Sequence, residues 1–178
     1  MKLDRDRAAL AVIDVQEAFR PAVLDFEQVA ANVAVLIQGA RILGLPVLVT
    51  EQYPKGLGHT APEVAEHLDG VRPISKLCFS AVDAAGFPAG LEGRDQVVLC
   101  GIEAHVCVNQ TAEDLLATGR EVQVVQDAVS SRTAQNRDLG LHKMERSGAT
   151  LTSVETALFE LLREAGTPEF KEVQALVK

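Results

Sequence analysis

Three residues of this 178-residue sequence each stand at or just beyond the end of a short apolar stretch: Asp14, Lys76 and Cys107. Asp14 closes Ala8-Ala-Leu-Ala-Val-Ile13, Lys76 follows residues 71–75, and Cys107 ends Cys100-Gly-Ile-Glu-Ala-His-Val-Cys107. Together these side chains can perform nucleophilic catalysis. A thiolate attacks an electrophilic carbon, a carboxylate takes and returns the proton, and an ammonium stabilises the negative charge. Gly101 reads as a tight turn that brings Cys107 to the first turn of a helix. The unpaired N–H groups and partial positive charge found there favour a thiolate. Lys76 beside Asp14 keeps that carboxylate ionised and oriented. Taken singly, a buried cysteine is a small hydrophobe, an aspartate caps a turn and a lysine is a solvated charge. Cys78 and Cys100 are assigned the first of these roles, and it is the trio that points to chemistry.

The elements that would position the trio alternate along the chain. Residues 8–13 form a continuous apolar run, as expected of a parallel strand buried on both faces. Val29, Val33, Leu36, Ile37 and Ala40 recur at helical spacing, and residues 46–50 give a second buried strand. The segment 51–62, with Pro54, Gly56, Gly58 and Pro62, is a loop at that strand's carboxyl end, where α/β folds carry function. Further strands are predicted at 71–75, 96–99, 121–126 and 149–153. Helices are predicted at 106–118, 135–147 and 155–163, with a turn at 127–132 and a helical tail from 168. This pattern gives one domain over residues 1–178, an α/β doubly wound three-layer sandwich on a six-stranded, mostly parallel sheet. The strand order is 3-2-1-4-5-6, which places Asp14 and Cys107 at the switch point where such sheets bind ligands.

Composition excludes several classes. A hydrophobic content of 47% with 24% charged residues is that of a globular chain. The formal net charge of −8 opposes a nucleic-acid partner. The first apolar run is too short for a membrane span or a signal peptide, and three cysteines make no disulfide framework. The expected setting is cytoplasmic with reduced thiols. The glycines at 56–58 and 86–93 lack the spacing of a phosphate-binding loop.

Val12-Ile-Asp-Val-Gln-Glu-Ala-Phe19, Lys76-Leu-Cys-Phe-Ser-Ala81 and Leu99-Cys-Gly-Ile-Glu-Ala-His-Val-Cys107 resemble the isochorismatase-like cysteine hydrolases, whose fold is Rossmann-like. Thr50-Glu-Gln-Tyr-Pro-Lys-Gly-Leu-Gly58 and Asp127-Ala-Val-Ser-Ser-Arg132 resemble the isochorismatase-domain-containing subgroup. The resemblance implies a catalytic triad of Asp14, Lys76 and Cys107. It also implies a cis peptide between Ile102 and Glu103, with the N–H groups of Glu103 and Cys107 forming an oxyanion hole. The implied activity is cleavage of a C–N bond in a small amide- or ureide-like substrate through a thioester, by a homo-oligomer without cofactor. The alternatives are a non-catalytic binding or scaffold protein and a vinyl-ether hydrolase of the isochorismate type.

Phe19, Gln16 and Tyr53 are candidate pocket residues, with Gln16 also a candidate to orient Asp14. His105 stands two residues from Cys107, a spacing that turns it away from the thiol. The nicotinamidase branch of the family binds a metal through an Asp-x-His cluster that Glu51-Gln-Tyr-Pro-Lys-Gly-Leu-Gly-His59 lacks. Glu51, His59 and His67 are the remaining candidate ligands, and no metal is expected.

Overall fold

The computed structural model describes residues 2–178. Six strands, β1 (Ala8–Ile13), β2 (Val47–Gln52), β3 (Ile74–Lys76), β4 (Gln96–Ile102), β5 (Glu121–Ser130) and β6 (Thr150–Thr152), form one sheet. Their order is β3-β2-β1-β4-β5-β6 and every pairing is parallel. The fold is therefore the doubly wound α/β sandwich that the alternation predicts.

All of β1 is buried, and its residues divide between two cores by parity. Leu10 and Val12 join Phe26, Ile37, Leu158 and Val173 on the face covered by α1 (Phe26–Ile42), α7 (Val154–Leu162) and α8 (Pro168–Leu176). Ala9, Ala11 and Ile13 join Phe87, Leu115 and Met144 on the other face. That face is covered by α4 (Phe87–Gly90), α5 (Asn109–Ala117) and α6 (Ala134–Arg146). In β4, Cys100 points to the α1 face, whereas Cys107 belongs to the α5 face. Two short helices, α2 (Pro54–Leu57) and α3 (Pro62–Ala65), occupy the segment after β2. No helix among the described residues is long and apolar enough to cross a membrane.

Several boundaries differ from those read in the sequence. The strand expected at 71–75 is only Ile74–Lys76, whose three residues pair with Thr50, Glu51 and Gln52 of β2; Pro73, just before it, has no N–H to extend the ladder. Residues 127–130, expected as a turn, continue β5. The register jumps from Leu99 opposite Val124 to Gly101 opposite Val129, so β5 bulges there and keeps pairing. The helix expected from residue 106 begins earlier as a π-helical turn, Ala104–Val108, before becoming α5 at Asn109.

Two glycines are demanded by close approach. Gly101 has φ +124, and a Cβ there would overlap the main chain of Ile13 on β1. At Gly140 on α6 a Cβ would lie 2.6 Å from the carbonyl oxygen of Ala104, so α6 packs directly on the backbone of the π turn. Gly101→Ala combines a disallowed conformation with that overlap and is expected to cost about 3 kcal/mol or more. Chemical denaturation of the purified variant measures this loss.

Candidate active site

The carboxyl ends of β1, β3 and the β4 connection meet at one place. Asp14 follows β1 with φ +55, a left-handed conformation that aspartate tolerates better than most residues. Lys76 is the last residue of β3, two strands away, and its Nζ lies 2.7 Å from Asp14 Oδ2. The side chains of this pair are 0% and 1% exposed.

The polar groups around the pair satisfy it almost completely. Nζ of Lys76 also donates to Gln52 Oε1 at 2.7 Å and Phe79 O at 3.0 Å, with Cys78 O at 3.3 Å. Asp14 Oδ1 accepts from Thr50 Oγ1 at 2.6 Å. Thr50 and Gln52 alternate on β2, the strand lying between β1 and β3, so their side chains bridge the lysine and the aspartate. Neither residue stood out in the sequence. Their parity was the available signal, since residues alternating at the end of strand 2 fall between strands 1 and 3.

Cys107 lies in the π turn, 7% exposed and within the field of both charges. Burial pushes its thiol up to about 12; the nearby Asp14 carboxylate pushes the same way, and Lys76 only partly opposes them. The direction is opposite to the lowering expected of a helix start, and desolvation of the thiolate is its largest cause. Cys100 is pushed up as well, by burial alone, and its Sγ faces Ala11 O at 3.7 Å. All three cysteines are free.

The other predicted residues fall in distinct places. The Ile102–Glu103 peptide is cis. The Glu103 side chain is buried and ion-paired with Arg132 (Oε1 to Nε, 2.6 Å). His105 turns to Ser131, with Nδ1 3.1 Å from its Oγ. Gln16 is fully buried and acts as a brace. Its Nε2 donates to the carbonyls of Gln52 and Gly58, and its Oε1 accepts from Gln52 N. Phe19 packs against the α1-face core, away from the thiol's side of the sheet. Tyr53, with φ +40, lines a cavity of about 340 Å³ with Pro54, Lys55, Ser75, Lys76 and Leu77. Because the Lys76 side chain is fully enclosed, its main chain is what meets this cavity.

The candidate metal ligands are not gathered. Glu51 accepts from Thr60 N and Oγ1 at 2.8 Å each and stands 3.1 Å from His59 Nδ1. His67 lies elsewhere, beside Gln38 and Glu66. With both Glu51 oxygens engaged, this donor set does not fit a metal ion. No group of three His, Cys, Asp or Glu side chains suited to a metal occurs among the described residues.

Comparison with known proteins gives the arrangement a family. Isochorismatase domain-containing protein 2A of Mus musculus is 44% identical over 176 residues, spanning 97% of this chain and 84% of that protein. The solved structure of MAR1 ribonuclease from Caenorhabditis elegans has a TM-score of 0.96 and 42% identity, covering 99% of this chain and 92% of that chain. YcaC from Pseudomonas aeruginosa, solved with hexane-2,5-diol and covalent acrylamide, has a TM-score of 0.90 and 27% identity, covering 98% and 91%. The family model for the isochorismatase domain matches residues 8–156, from the first residue of β1 into α7, and the protein belongs to the isochorismatase family.

Proposed function

We propose that the protein is a cysteine hydrolase that cleaves a C–N bond of a small amide- or ureide-like substrate through a thioester on Cys107. The observation that carries this reading is the enclosed Asp14–Lys76 ion pair in the field of a buried thiol. A thiol at about 12 is ionised in roughly one molecule in 100,000 at neutral pH, so the nucleophile needs a base within the site. Asp14 is that base. As Sγ bonds to the carbonyl carbon, the thiol proton passes to Asp14 and the C=O electrons move to oxygen. The main-chain N–H groups of Glu103 and Cys107 receive the oxyanion. Collapse expels the amine, which takes the proton from Asp14 and leaves a thioester. Water then attacks with its proton passing to Asp14, and that proton returns to the departing sulfur. Lys76 remains an ammonium throughout, paired first with carboxylate and then with thiolate.

Lys76 is the one buried cationic residue among those described, and its three protons face four oxygens. It therefore has no free donor for a substrate carboxylate, which disfavours a dianionic vinyl ether such as isochorismate. A covalent acrylamide in the YcaC relative supports a nucleophile reading over a non-catalytic scaffold. The name of the C. elegans relative raises phosphodiester cleavage as a second reading. The formal charge of −8 opposes it, and incubation with single-stranded RNA tests it directly: cleavage lost in Cys107→Ala would replace the amide reading. The working form is a homo-oligomer, supported by the exposed apolar side chains of Tyr53, Leu77 and Phe79 near the site, and sedimentation velocity measures it.

Iodoacetamide followed by peptide mass spectrometry is expected to label Cys107 before the less buried Cys78, reversing the order that exposure alone predicts. Preferential labelling of Cys78 would overturn the nucleophile. The pH profile separates the base from passive ionisation. With Asp14 holding the thiol's proton inside the site, the wild-type rate stays level between about pH 6.5 and 9. In Asp14→Asn the thiolate forms only by loss of a proton to water, so the rate climbs about tenfold per pH unit up to the thiol's own value, which loss of the Asp14 carboxylate moves down from its wild-type position.

Lys76→Met leaves the Asp14 carboxylate buried without its cation and is expected to cost about 3–5 kcal/mol in denaturant unfolding. Adding Asp14→Asn should recover part of that loss, since the stranded charge disappears.

A further inference from the structure

We infer that Thr111 is a positioning residue that ties the loop enclosing the Lys76 ammonium to the backbone of Cys107. The inference rests on the reading of Cys107 as a nucleophile and concerns what keeps the thiol and the ion pair in register.

The loop that follows β3 turns its main chain inward. Its carbonyls at Cys78 and Phe79 accept from Nζ of Lys76, while Leu77 and Phe79 are 75% and 53% exposed. Those two large side chains therefore give the loop little anchorage in the core. The anchor comes at its end, where Ala81 N donates to Thr111 Oγ1 at 2.9 Å. The same hydroxyl donates to Cys107 O at 2.7 Å.

The direction of these bonds is forced. A main-chain N–H can only donate, so Thr111 must accept from Ala81, and its single proton is left for the Cys107 carbonyl. Thr111 is fully buried, and so is Ala81, so water replaces neither bond. A helical threonine commonly bonds back to the carbonyl four residues earlier without consequence elsewhere. Here the second bond makes that local contact a bridge of one atom between two loops. One loop carries the acceptors of the ammonium, and the other carries the thiol that the ammonium must stabilise.

The test uses the full-length protein, with Thr111→Val removing the hydroxyl at nearly constant shape and Thr111→Ser retaining it. Second-order rates of Cys107 and Cys78 alkylation by iodoacetamide are measured where denaturation curves show each protein folded. Thr111→Val is expected to slow Cys107 by about tenfold or more, since small misplacements of reacting groups carry large kinetic penalties. It should also speed Cys78 as the loop loosens, and Thr111→Ser should restore both rates to within about threefold. A merely structural threonine would lower stability and leave the folded-state rates unchanged, which would overturn the inference. Failure of serine to rescue would overturn it equally. Should Thr111→Val not fold, hydrogen exchange on the wild type decides: the Ala81 amide is expected to be protected, and exchange at loop rates overturns the bridge. Unreactive wild-type Cys107 removes the proposed function and the inference together, whereas a reactive wild type with an equally reactive Thr111→Val removes the inference alone.

Discussion

The ion pair between Asp14 and Lys76 is the constraint to which the rest of this site is fitted. Taking two such charges out of water costs several kcal/mol per ion, and their attraction repays that only if the remaining donors and acceptors are satisfied. The chain meets the demand with groups from two directions. Thr50 and Gln52 come from the strand between the two ions, and the Cys78 and Phe79 carbonyls come from the lysine's own loop. Gln16 in turn fixes Gln52 by gripping its main chain on both sides. The sheet order makes this possible, because β3-β2-β1 places one polar-tipped strand between the ends that carry opposite charges.

That pair also decides the proton logic of the thiol. A cysteine at a solvent-exposed helix start could hold a standing thiolate, but Cys107 is buried beside a carboxylate paired with Lys76. In the proposed mechanism the negative charge in the pocket belongs to Asp14 at rest and moves to sulfur only when the proton moves the other way. Lys76 serves both arrangements without moving, so the exchange requires no new charge in the enclosed space. On the proposed mechanism such a site would hold its nucleophile neutral until an electrophile arrives, which would protect the thiol from passive reaction with solvent-borne oxidants.

Much of this frame was legible in the sequence, for identifiable reasons. The run 8–13 could only be a strand covered on both faces, and the alternation of strands with helical spacings fixed the sheet order, hence the meeting of Asp14 with the β4 connection. Lys76 was legible as a residue type after a short apolar stretch, although its strand is three residues long and begins later than the pattern suggested. Phe19 and Tyr53 read alike as aromatic residues in loops, yet they belong to opposite surroundings. Side-chain periodicity carries no information on which way a loop residue turns. Thr50 and Gln52 were legible only through their parity at the end of strand 2, and Thr111 was invisible because it acts by reaching Ala81, distant in the chain. The burial that pushes the Cys107 thiol up was not legible, because helical spacing reports where a turn begins, not how deeply it lies.

The loop from Leu77 to Ala81 shows how these demands shape a segment that pattern alone would leave as ordinary surface. An ammonium that needs main-chain oxygens forces the carbonyls inward, and alternate side chains must then point away. Leu77 and Phe79 accordingly stand outside the core of the single chain. Such a loop pays for its geometry with apolar surface, so its position depends on the few polar bonds at its ends. On the β2 side these are Tyr53 N to Lys76 O at 2.8 Å and Gln52 Nε2 to Leu77 O at 2.9 Å. On the α5 side the anchor is the Thr111 hydroxyl. Lys76 and Cys107 belong to segments separated by β4 and its whole connection, and these end anchors convert that separation into a fixed juxtaposition.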